Sequence, residues 1–102
     1  MFGLVAMKNL RILAEEVAKI YNEKRAPEAN LEIINVDETS SSVIVRITGS
    51  FCRTCGVDDW IVDYQYELKE KGIDAKLEDY YIDYEKEEAI AKFVVLGTKE
   101  DD

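Results

Sequence analysis

Two thiols set two residues apart, Cys52 and Cys55, are the side chains of this sequence best suited to do chemistry. A pair at this spacing can hold a zinc ion or part of an iron–sulfur cluster. It can also cycle as a dithiol, one sulfur attacking a substrate disulfide and the other resolving the mixed disulfide. A third reading is structural, with no partner chemistry. A closed metal site needs four ligands, and the chain has two cysteines and no histidine, so the other ligands must come from a second copy, another protein or carboxylates. The redox reading needs the two thiols alone. Arg53, between them, favours a thiolate, as does the N-terminus of a following helix. Asp58 and Asp59, in that helix's first turn, raise a thiol pKa, so the net activation stays open.

The absence of histidine removes Ser-His-Asp and Cys-His nucleophile pairs, histidine-based zinc enzymes and the facial triad of iron oxygenases. Most hydrolase chemistry goes with it, and the expectation leans away from an enzyme, with no catalytic residue assigned. Paired acids such as Asp58-Asp59 and Glu87-Glu88 read as solvated charges, since neighbours on a helix diverge and no calcium loop is spelled. Trp60, Tyr64, Tyr80 and Tyr81 are candidates to line a pocket or an interface, because each joins an apolar body to a polar tip. Half-buried core-edge positions are the competing reading.

The thiols need a frame, and the hydrophobic pattern supplies one. Leu10, Leu13, Ala14, Val17, Ile20 and Tyr21 recur at helical spacing, which predicts a helix from Lys8 to Arg25 ended by Ala26-Pro27. Leu31 to Val36 and Val43 to Thr48 read as a hairpin around the turn Asp37 to Ser42. Val57, Trp60, Ile61, Tyr64 and Leu68 mark a second helix from Gly56, with Lys69 and Lys71 at its end and Gly72 as its stop. Ile73, Ala75 and Leu77 alternate with charges, a turn is expected near Asp83 to Glu87, and Ala89 to Leu96 is the last strand. The chain is therefore expected to be α+β, helix-hairpin-helix-hairpin (αββαββ), with two helices on one face of a four-stranded, mainly antiparallel sheet. The two αββ units share an arrangement without evident residue-level identity.

At 102 residues and 47% hydrophobic content the chain suits a single domain, 1–102. Residues 98–102 read as a frayed acidic tail, and residues 1–6 as an extension if Met7 is the native start. Through Arg25 five basic residues face three acidic ones, net +2; the remainder has eight against nineteen, net −11, for −9 overall. So acidic a surface is expected to repel nucleic acid. No apolar run spans a membrane and no signal peptide is apparent, which points to the cytoplasm, where thiols stay reduced. One Gln against thirteen Glu and nine Lys is a thermophile-like balance.

Three families offer resemblances. Residues 31–68, with LEIINVDETSSSVIVRITGSFCRTCG leading into a helix, resemble the C-terminal domain of NifU-type iron–sulfur scaffolds. That resemblance implies cluster ligation by Cys52 and Cys55 across a homodimer. It departs at Gly56, where the family has proline, at the missing Gly-Gly-Asp before the first strand, and at a Gly49-to-Cys52 spacing one residue too long. The order strand, F-C-R-T-C, helix, strand from Val43 to Asp83 looks like a thioredoxin-type site, which implies Cys52 as attacking and Cys55 as resolving thiol. Its cis-proline is missing, since Pro27 is the single proline. In layout most of the chain looks like four-vinyl-reductase and TRAPP-type domains, which implies ligand binding or assembly. The leading expectation is a non-catalytic thiol-site protein holding zinc or an iron–sulfur cluster, with a homodimer or another protein as partner. A dithiol redox protein and an interaction module are the alternatives.

Overall fold

The structure is a computed structural model that describes residues 10–25, 29–49 and 57–98. Its elements are α1 (Leu10–Arg25), β1 (Asn30–Asp37), β2 (Ser42–Thr48), α2 (Val57–Glu70), β3 (Ile73–Asp83) and β4 (Glu88–Thr98). The expected αββαββ order is the observed one. The strands form one sheet in the order β1-β2-β4-β3, antiparallel at every pairing. Thr98 belongs to β4, so the strand runs beyond the expected Leu96; residues 99–102 and the Met1 to Ala6 stretch lie outside the described residues.

Both helices pack on one face. Leu10, Ala14, Val17 and Tyr21 form the buried stripe of α1, and Ile61, Tyr64 and Leu68 that of α2. Beneath them lie Val43, Val45 and Ile47 of β2 and Ala89, Ala91 and Phe93 of β4. Burying such a side chain contributes about 1.5–3 kcal/mol for Val, Leu, Ile or Phe, so this layer supplies most of what opposes the chain's conformational entropy. Tyr64 sits at its centre, edge-on to Tyr21 and Phe93 at ring distances of 6.2 and 5.3 Å. The helix α2 stops as its sequence predicts: Gly72 takes φ 83°, and Lys71 and Gly72 donate their N–H groups to the carbonyls of Leu68 and Lys69.

The two αββ units correspond in detail that inspection of the sequence does not reveal. The strand register equates Leu31 with Leu77, Asp37 with Asp83 and Ile44 with Ile90, each pair 46 residues apart and identical in type. The bulges fall at different places in the two units, at Ile34 in β1 and at Glu78 in β3. Each hairpin closes through an aspartate whose Oδ1 accepts two backbone N–H groups, Thr39 and Ser40 at Asp37, Glu85 and Lys86 at Asp83. Each turn ends on a non-glycine residue at φ 55°, Ser41 and Glu87. On the face opposite the helices, Arg46 reaches Glu32 at 3.4 Å and Lys92 reaches Glu78 at 3.2 Å. These correspondences are an internal duplication around a pseudo-two-fold between β2 and β4.

Candidate functional site

Cys52, Cys55 and Arg53 lie outside the described residues, within the connection from β2 to α2. Asp58 falls in the first turn of α2, and its side chain is likewise outside the description. The frame on either side is defined. Gly49, just past β2, donates its N–H to the Glu87 carbonyl at 3.2 Å, which ties the end of β2 to the β3–β4 turn. That turn and its flanks carry Asp83, Glu85, Glu87 and Glu88 against Lys86.

At the other end of the connection, α2 is fixed against α1. Tyr21 donates its hydroxyl to the Trp60 carbonyl at 2.7 Å, one turn into α2. Tyr64 donates to the Ala14 carbonyl at 2.9 Å. Burial raises the pKa of Tyr21, opposed by the nearby Arg25 charge and supported by Asp63; burial raises that of Tyr64, with Glu15 adding to it. Both phenols therefore remain hydrogen-bond donors across the neutral range. Beside them Arg25 spans two acids of α2, with Nε 3.2 Å from Asp63 and an amino group 3.1 Å from Glu67, while Lys24 meets Glu67 at 3.1 Å. The guanidinium also lies 4.4 Å over the Tyr21 ring. Trp60, Asp63 and Glu67 thus tie α2 to the C-terminal half of α1.

The aromatic candidates do not converge. Tyr64 is fully buried in the core and Trp60 packs partly buried against it. Tyr80 pairs across from Ala91 on the helix-facing side of β3, whereas Tyr81 pairs with Ile90 on the opposite face and is 64% exposed. Asp59 is exposed at the start of α2. The clefts lie elsewhere: one of about 690 Å³ runs between α1 and β1, lined by Glu15, Lys19 and Asn22 with Asn30 to Ile33. Another of about 360 Å³ sits at Lys69 and Gly72 to Asp74. Among the described residues no group of three or more His, Cys, Asp or Glu is placed to hold a metal ion.

Comparisons of the chain with protein-family models, curated proteins and solved structures return no match. The geometry therefore carries the functional argument. Sequence reading missed the Arg25–Asp63–Glu67 network and the amide contacts of Asn22 and Gln65 with the edge strands. A cation pair closing α1 and acids on the Arg25-facing side of α2 are a usable signal for the first. The second has no sequence signature, since it depends on how each helix lies over its strand.

Proposed function

We propose that the chain is a small non-catalytic carrier or accessory protein in which Cys52 and Cys55 hold zinc or an iron–sulfur centre, with the remaining ligands supplied by a second copy. The observation that supports this reading is the frame of the connection. A strand end tied through Gly49 and a helix fixed through Trp60, Asp63 and Glu67 bracket the only two cysteines of the chain. The β3–β4 turn and its flanks, beside the strand end, carry Asp83, Glu85, Glu87 and Glu88. Metal ligation and dithiol redox both use the thiolate form, so the local charge does not choose between them. The second copy follows from ligand number, because two thiols fill half of a tetrahedral site. The resemblance of residues 31–68 to NifU-type scaffold domains points the same way.

Native mass spectrometry of protein purified without oxygen tests it. The expected spectrum is a dimer carrying the mass of zinc or of iron and sulfide, both lost in the Cys52→Ser, Cys55→Ser variant. A metal-free wild-type species overturns the reading. A two-proton mass loss that reverses with reductant would then assign the pair to dithiol redox, and its absence to an interaction module.

A further inference from the structure

The two αββ units part just ahead of the cysteines. Asn30 with Thr48 in the first unit is the equivalent of Lys76 with Val94 in the second. Beyond that rung β4 runs on, pairing Val95 with Ala75, Gly97 with Asp74 and Thr98 with Ile73, whereas β2 ends at Thr48. The main-chain bond that follows is nevertheless present twice. Val95 donates its N–H to the Ser41 carbonyl at 2.7 Å, and Gly49, 46 residues earlier, donates to Glu87, the equivalent of Ser41. Both acceptors hold φ 55°.

Backbone conformation separates the two donors. Val95 lies within β4, but Gly49 stands at φ 136°, which glycine reaches freely and a β-branched residue does not. In sequence, Ser50, Phe51 and Cys52 are the counterparts of Leu96, Gly97 and Thr98, and Pro27 is the counterpart of Ile73. A proline gives no N–H to a ladder. Where the second unit goes on pairing, the first thus carries a glycine after one strand and a proline ahead of the other.

We propose that Gly49 is a positioning residue for the thiol site. Its backbone at φ 136°, pivoting on the bond to Glu87, keeps Cys52 out of the kind of ladder that its counterpart Thr98 joins, which leaves the sulfur accessible to a metal ion. A strand-forming residue at 49 would let residues 50–52 pair with residues 27–29, as 96–98 pair with 73–75, and take Cys52 into the sheet. The purpose of the device rests on the reading of Cys52 and Cys55 as a metal-holding pair, but its readout needs no metal.

The rate at which iodoacetamide alkylates Cys52 tests it, in chelator-treated Cys55→Ser protein, where one thiol is read and no metal is bound. Gly49→Val, which installs the valine of position 95, is expected to keep the native circular dichroism and to slow alkylation about tenfold or more, because Cys52 then reacts through opening of the added ladder. Adding Pro27→Ile, the residue of position 73, supplies the missing N–H and is expected to slow it further. Gly97→Ala, where a Cβ meets nothing within 4 Å, is expected to leave the rate unchanged. Should Gly49→Val fail to fold, Gly49→Ala carries the same expectation with less bulk, since alanine also avoids φ 136°. An unchanged or faster rate in the folded Gly49 variants overturns the proposal. Metal-free wild type in native mass spectrometry would instead overturn the metal-holding reading and leave this rate difference standing, so the two fail separately.

Discussion

Two phenols show how single residues decide the behaviour of this core. Tyr21 and Tyr64 are buried, yet each keeps its hydroxyl on a carbonyl of the other helix, so neither polar tip is orphaned. Their raised pKa values make the fold alkali-sensitive. Only the neutral phenol fits its site, so this contribution is fully present below the ordinary tyrosine value near pH 10 and is lost as pH rises from there toward the higher folded values. The measurement is an alkaline titration followed by phenolate absorbance and far-ultraviolet circular dichroism together. A phenolate step that coincides with loss of helix signal is expected in wild type and should shrink in Tyr64→Phe. That variant also loses about 1 kcal/mol of stability at neutral pH with the bond to Ala14. Phenolate absorbance from Tyr64 in protein with native dichroism would contradict the argument. The sequence assigned Tyr64 both to the α2 stripe and to a candidate pocket, and only packing between two helices decides between them.

At the scale of elements, the junction of α1 with α2 carries unequal ion pairs. The Glu67 side chain is 8% exposed and Arg25 17%, whereas Arg46 and Glu32 are 42% and 61% exposed. Glu67→Ala leaves Arg25 with Asp63 alone and is expected to cost about 2–3 kcal/mol, less than for a fully buried pair because Asp63 stays. Glu32→Ala, across a solvated face, is expected to cost less than about 1 kcal/mol. Urea unfolding of the two variants checks the ratio, and equal midpoints would show that the junction does not depend on the network. Helices and strands were legible because their periods are written in apolar residues such as Leu10, Ala14 and Val17 or Val43, Val45 and Ile47. The bulges at Ile34 and Glu78 were not, because an extra residue changes facing without changing composition. The duplication hid for a related reason. Cross-strand pairs set Val43 against Phe93, Val45 against Ala91 and Ile47 against Ala89, so core volume is shared between β2 and β4. Equivalent positions then carry residues of different size, and identity survives at Leu31/Leu77 and Asp37/Asp83. The Cys pair was legible as a motif, whereas a role for it is not written in two residues, since a closed metal site takes four ligands.

For the whole molecule, the duplication makes a claim about connectivity. The pseudo-two-fold relates the passage from β2 to α2 to the gap between the end of β4 at Thr98 and the start of α1 at Leu10. Residues 49–56 bridge the first, so a linker of similar length should bridge the second, and residues 99–102 followed by 1–9 are long enough. A permuted chain opened between Gly49 and Ser50, with residue 102 joined to residue 1, would run α2-β3-β4-α1-β1-β2 and keep the C-x-x-C contiguous ahead of α2. It is expected to fold with the wild-type dichroism spectrum and a modest loss of stability, mainly from freeing the Gly49 bond to Glu87. The isolated unit 57–98 is expected to stay unfolded, because β4 makes its central pairing with β2 and Phe93 packs against Val43 of the other half. Thermal unfolding of both chains decides the matter. An unfolded permutant would mean that the two halves resemble each other in plan but are not interchangeable in order, and a cooperative melt from residues 57–98 would mean that each half is its own folding unit.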